Sequence, residues 1–192
     1  MMKNLTSLST LLFLLLSCTG QEIPNKDYQL KTAVLAAPEH QREAATVMGY
    51  DSNGELTVIK EGTNDFVCIA DDPNKEGFSV AAYHKSLEPF MTRGRELKAQ
   101  GLSFKEVFDK REEEVNAGTL EMPDKATLYV STGEPNEETG EIDNLYTRYV
   151  IYIPYATEES TGMPLSPPAP GAPWIMDPGT HRAHIMINPP KQ

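Results

Sequence analysis

Short apolar and β-branched stretches, separated by turn sequences, lie in the first half of the chain. Residues 46–50 and 55–60 flank Asp51-Ser52-Asn53-Gly54, and Asn-Gly between two such stretches is the strongest short-range signal for a β-hairpin. Residues 66–70 follow one further turn, so a three-stranded meander is predicted. Residues 78–84 fit a strand and a helix equally well.

Apolar residues at helical spacing predict two helices in the middle of the chain. The first begins at Glu88-Pro89 and ends at Gly101, because proline favours the first helical turn and glycine the residue after the last. The second begins at the capping box Ser103-Phe104-Lys105-Glu106 and ends at residues 116–118. A brief helix is also predicted for residues 38–45.

The last third of the chain again has the pattern of strands. Residues 126–131 and 146–155 are separated by a polar loop, residues 132–144. Residues 146–155 are apolar on both faces, which is typical of a central strand covered on two sides. Residues 157–173 are rich in proline and are predicted to form a loop, because proline is excluded from the interior of a sheet.

A second hairpin is predicted for residues 174–176 and 183–187, around Asp177-Pro178-Gly179-Thr180. Together the elements predict an α+β domain. Its mostly antiparallel sheet has about six strands, and two or three helices are segregated in the middle of the chain.

The N-terminal residues have the pattern of a secretory signal. Lys3 precedes the apolar residues 11–16, and small residues follow at 17–20. The apolar run is far shorter than the roughly 18–20 residues that span a bilayer. We therefore expect residues 1–20 to be a signal peptide, residues 21–29 a tether and residues 30–192 a single globular domain.

The end of this signal, Leu15-Leu16-Ser17-Cys18, resembles the box of bacterial lipoproteins. The resemblance implies that Cys18 is lipidated and becomes the first residue of an envelope or periplasmic protein, whose only contact with the membrane is this lipid. The alternative is ordinary cleavage after Gly20 and secretion.

Charge and cysteine content narrow the function further. The chain has 17 basic and 28 acidic residues and a net charge of −11, which repels phosphate backbones, so no nucleic-acid partner is expected. Cys68 is the only cysteine outside the export region and lies in an apolar stretch, so a buried thiol is expected.

Three histidines are candidates for a divalent metal site: His84, His181 and His184. On a regular strand His181 and His184 point to opposite faces, so they share an ion only if His181 belongs to the turn. The spacing matches no zinc motif, and structural histidines are the alternative. No nucleophile elbow or phosphate loop occurs, so neither catalysis nor an organic cofactor is predicted.

Aromatic residues cluster around the proline-rich segment. We expect Tyr152, Tyr155 and Trp174 to line a groove for an envelope protein or a small ligand, because tyrosine and tryptophan favour interfaces. Packing in the core is the alternative.

The segment Glu61-Gly62-Thr63-Asn64-Asp65-Phe66-Val67-Cys68, followed by Asp71-Asp72-Pro73, resembles a stretch of exported bacterial proteins of unknown function. The resemblance implies export and one globular domain, and it carries no activity. The sequence thus favours a non-enzymatic envelope lipoprotein that binds a protein or small ligand. A metal-binding protein or metal-dependent enzyme, and a structural envelope component, are the alternatives.

Overall fold

The computed structural model of this protein describes residues 22–191, which form an α+β fold. The predicted signal peptide and Cys18 lie outside the described residues. The helices span Lys26–Ala33 (α1), Glu39–Arg42 (α2), Glu88–Ala99 (α3), Phe104–Asn116 (α4) and Glu158–Thr161 (α5). The strands span Thr46–Tyr50 (β1), Leu56–Lys60 (β2), Phe66–Ile69 (β3), Phe78–His84 (β4), Ala126–Pro135 (β5), Ile142–Tyr152 (β6), Trp174–Met176 (β7) and His184–Ile187 (β8).

The strands form one sheet in the order β2-β1-β3-β4-β5-β6-β8-β7. The sheet is mostly antiparallel, as predicted, but it has eight strands and not about six. Residues Phe78–His84 are a strand at the centre of the sheet, and the short strand β7 forms its edge. The predicted polar loop is largely strand as well, because β5 extends to Pro135 and β6 begins at Ile142.

The predicted meander is wrong in its last strand. The strands β1 and β2 form the expected hairpin, but β3 pairs in parallel with β1 on the opposite side. The chain crosses back through a tight loop, in which the amides of Thr63 and Asn64 both donate to Ala44 O. A Cβ at Gly62 would lie 2.1 Å from Thr46 N, so the loop can come this close only without a side chain.

One face of the sheet is covered by α1 and the 3₁₀ turn Val34–Ala36. The helix begins at Lys26, inside the predicted tether, and Asn25 caps it by accepting from Tyr28 N. Small residues here pack on β1, β3 and β4 in a core that includes fully buried Cys68. Burial raises the pKa of the Cys68 thiol to about 12, which confirms the expected buried thiol.

The other face is covered by α3. Its Phe90 is fully buried with Tyr83, Leu128, Val150 and Tyr152 of the sheet. The predicted boundaries of α3 and α4 agree closely with the structure. Both hydrogen bonds of the capping box between Ser103 and Glu106 are present.

The helices are not confined to the middle of the chain, because α1 and α2 precede the sheet and α5 follows β6. Helix α2 has only one turn, Glu39–Arg42, and is shorter than the predicted 38–45. Within residues 22–191, no helix is long and apolar enough to cross a membrane.

Candidate functional site

Polar and aromatic residues meet where α4 passes over the β7–β8 hairpin. His184 opens β8 and pairs with Tyr152 of β6 and Met176 of β7. Its ring lies 5.5 Å from the Tyr152 ring, on the face of the sheet that α3 covers. His184 Nδ1 lies 2.7 Å from Arg182 O, so this nitrogen carries the proton and donates it.

His181 is the most deeply buried polar side chain of the site. It belongs to the turn before β8, has 0% exposure, and packs edge-on to Phe90 (5.6 Å) and Phe108 (4.8 Å). Its Nδ1 lies 3.7 Å from Glu112 Oε1, beyond hydrogen-bond distance, and neither ring nitrogen has a partner. Burial lowers the pKa of His181, against the opposing effect of Glu112.

Arg111 of α4 reaches across α3 beside this imidazole. Its guanidinium lies 3.9 Å from the centre of the Phe90 ring, and Nη1 donates to Phe90 O at 3.3 Å. The side chain passes over Gly94, where an added Cβ would lie 2.9 Å from Nη1. Burial lowers the pKa of Arg111 to about 10. Among the described residues, no carboxylate forms an ion pair with Arg111.

Lys98 and Arg182 complete what we call the basic cluster: Lys98, Arg111 and Arg182. Burial, and then the positive charges of Lys75, Arg111 and Arg182, lower the pKa of Lys98. Arg182 Nη1 contacts Asp177 Oδ2 at 3.1 Å, and its guanidinium lies 5.1 Å from the ring of the exposed Phe104.

Unpartnered polar atoms concentrate in this region. Five buried side-chain nitrogens and oxygens of the described residues have no hydrogen bond, and all five lie on α4, on β7 or between residues 181 and 188. They are Arg111 Nε, Trp174 Nε1, both ring nitrogens of His181, and Asn188 Oδ1. Asp177 Oδ2 has no other partner than its ion pair with Arg182. Because buried polar groups are almost always paired with protein atoms or ordered water, these atoms are available to water or to a ligand.

The structure places the three predicted aromatic residues in different surroundings. Tyr152 is 6% exposed and packs on Phe90 in the core, so the core alternative holds for this residue. Trp174 is half-buried on β7. Tyr155 is 44% exposed, and its hydroxyl donates to Asn116 at the end of α4.

The predicted metal ligands divide between the two faces. Tyr83 packs beneath α3, so the next strand residue, His84, points to the opposite face, where its Nδ1 contacts Ser86 Oγ. His84 and His184 therefore cannot hold one ion. His181 does belong to the turn before β8, and this was the condition for sharing a metal ion with His184. Among residues 22–191, no group of three or more His, Cys, Asp and Glu side chains is placed to hold a metal.

Sequence reasoning missed Lys98, Arg111, Glu112 and Arg182. The signal for Arg111 is present in the sequence, since it continues the apolar stripe of α4 formed by Phe104, Val107 and Phe108. A charged residue within an apolar stripe is a candidate functional residue.

Comparisons with protein-family models, with curated proteins and with solved structures find no match for this chain.

Proposed function

We propose that this protein is an exported, lipid-anchored binding protein of the cell envelope, without catalysis, whose basic cluster holds a carboxylate or phosphate group of a small ligand or partner protein. The observation that carries the proposal is the partly buried Arg111 guanidinium, whose inaccessible Nε has no partner and which has no carboxylate in ion-pair contact within the described residues. Removing part of a charge from water without a counter-ion is unfavourable, so a role in binding would explain its position.

The chemistry of the surrounding groups favours an anion over a metal ion. Arg182 follows His181 in the chain, and the Arg111 guanidinium packs on the same Phe90 ring as His181, so both positive charges repel a cation bound there. Arginine offers planar N–H donors that match carboxylate and phosphate oxygens. The net charge of −11 opposes the approach of anions in general, so local contacts must provide the affinity.

Titration of the purified protein with phosphate, acetate, succinate and citrate, followed by calorimetry, tests the site. We expect Arg111→Gln to weaken binding about tenfold or more, because it removes charge-assisted hydrogen bonds. Arg148→Gln is the matched control, since it removes the same charge from β6, four residues before Tyr152. Equal weakening by both variants, or binding that survives Arg111→Gln, contradicts the proposal.

Export and anchoring are tested separately by the mass of the protein recovered from membranes. A chain that begins at Cys18 and carries the added mass of acyl groups supports the lipoprotein. A chain that begins after Gly20 and is found in the soluble fraction would support ordinary secretion.

One observation favours a metal site as the second candidate. His184 Nδ1 donates to Arg182 O, which leaves the lone pair of Nε2 for a metal, and His181 has two unpartnered nitrogens nearby. Elemental mass spectrometry of the protein, purified without a histidine tag, decides between the candidates. About one equivalent of metal that is lost in His184→Ala would replace the anion proposal.

A further inference from the structure

Strand β6 has an unpaired edge beyond the end of β8. β6 runs over Ile142–Tyr152 and pairs with β5 along most of its length. On its other side it pairs with β8 only from Tyr149 to Tyr152. Within residues 22–191, no strand pairs with the β8 side of residues 142–148.

The direction of the backbone groups follows from the register. Ile153 N donates to Ala183 O, so odd-numbered residues of this stretch direct their amide and carbonyl groups toward β8. By the same alternation Thr147 presents a free N–H and a free C=O at the edge, and Leu145 presents its C=O. The Leu145 N–H is not assigned by this alternation, because the register with β5 shifts at residues 144 and 145.

Two prolines explain why the edge stays open. Ile187 pairs with Tyr149, so Pro189 would stand opposite Thr147 if the ladder continued. A residue at that position must donate its N–H to Thr147 O and accept the Thr147 N–H at its own C=O. Proline has no N–H to donate. Pro189-Pro190 therefore ends β8 and leaves two residues of β6 without a partner.

A groove of about 740 Å³ lies along this edge. Its walls include Pro189 and Pro190 on one side and Tyr149 on the other. Tyr149 is 39% exposed, and its ring is held edge-on against Tyr129 at 5.8 Å. Leu145 is 40% exposed at the same place. Unpaired backbone groups beside exposed apolar side chains are the elements that strand addition uses.

The backbone around the groove is irregular in a way that is common near functional sites. The register of β5 and β6 shifts between Thr132 and Glu134, where Gly133 approaches Ile142 too closely for a Cβ (2.4 Å). Asn144 has a φ of 52°, and its amide donates to Glu134 Oε2. Such left-handed residues persist where the surrounding structure maintains them.

The charges around the groove favour a basic binding partner. Glu134 lines the groove, and the tip of the β5–β6 hairpin beyond it carries exposed Glu137 and Glu138. Glu141 of the same tip is paired with Lys31 at 2.6 Å. Lys191 is the opposing cation in the lining, 5.7 Å from the Tyr146 ring. An acidic surface attracts basic residues, and it repels a second copy of a chain whose net charge is −11.

We propose that the free edge of β6 at Leu145 and Thr147 binds an extended, lysine- or arginine-containing segment of a partner protein, which adds a strand to the sheet. Hydrogen bonds of Thr147 and Leu145 provide the backbone pairing. Tyr149 and Pro189 contact alternate side chains, and the acidic hairpin tip contacts the basic ones.

The test is an NMR titration of the protein with the peptide acetyl-Lys-Val-Lys-Val-Lys-Val-Lys-amide, followed by amide hydrogen exchange. We expect shifts along the edge and exchange at the Thr147 amide that is slower by about tenfold or more at saturation. A peptide N-methylated at every residue is the control and should not bind, because it keeps the charge and loses the backbone donors of both edges. Replacing Glu137 and Glu138 by glutamine should weaken binding about threefold to tenfold.

Three results would overturn the proposal. The first is unchanged exchange at the Thr147 amide, or the absence of shifts up to ~1 mM peptide. The second is equal binding of the N-methylated peptide, which would mean that charge alone causes association. The third is protection of the Thr147 amide by self-association in the absence of peptide, or by a neutral disaccharide in place of the peptide, since the occupant would then be a second copy or a sugar.

Discussion

Replacing His181 by phenylalanine is expected to stabilise the fold. The imidazole is fully buried between Phe90 and Phe108, and both ring nitrogens lack hydrogen bonds. Each unsatisfied buried group costs about 1–3 kcal/mol, and phenylalanine removes both. The larger ring costs about 1–3 kcal/mol in overpacking. The lost attraction to the partly exposed Glu112 costs at most about 1 kcal/mol.

The balance is a gain of about 1 kcal/mol in the free energy of unfolding, or about 2–4 °C in Tm for a domain of this size. Urea unfolding measures it, with far-UV circular dichroism and the fluorescence of the single tryptophan, Trp174, as two probes.

The pH dependence gives a second readout of the same substitution. Burial holds the pKa of His181 in the folded protein below its ordinary value, so the unfolded chain binds the proton more readily. Stability is therefore lost as the pH falls below about 6.5, the pKa of an unfolded histidine. We expect a shallower loss between pH 7 and pH 5 in His181→Phe, because the remaining slope then comes from His184 and other groups.

His40→Phe is the control, because His40 is exposed on α2 and the substitution is the same. It should change stability by no more than about 0.5 kcal/mol. If His181→Phe is less stable than the original protein by more than about 1 kcal/mol, the imidazole makes a stabilising interaction and the argument from its unpartnered nitrogens is refuted.

Two further predictions concern other buried contacts. Gly94→Ala should displace the Arg111 guanidinium and weaken anion binding about tenfold, as measured by calorimetry. The free energy of unfolding, measured in urea, should stay within about 1 kcal/mol, because the gain in helix propensity offsets the lost contact. Unchanged affinity would show that Arg111 does not bind the anion. In a Cys18→Ser variant Cys68 is the only thiol. It should not react with Ellman's reagent at pH 8 until the protein unfolds, because it is fully buried and its thiol pKa is raised. Rapid reaction in the native state would contradict the burial.

Local sequence signals predicted the elements whose stability depends on neighbouring residues. The capping box of Ser103 and Glu106 places the start of α4 correctly, because both of its hydrogen bonds lie within one turn. Asn53-Gly54 places the β1–β2 hairpin for the same reason. The α+β class and the burial of Cys68 also follow from apolar spacing along the chain.

Only the tertiary structure decided which distant residues meet. Arg111 lies beside His181 because α4 passes over the β7–β8 hairpin, and neither segment alone indicates the other. His84 and His184 were joined in a candidate metal site, but strand alternation places them on opposite faces. Pro189 indicates the end of a strand from sequence alone. The register with Tyr149 was needed to show that the same proline leaves Thr147 unpaired, because pairing between strands depends on contacts far apart in the chain.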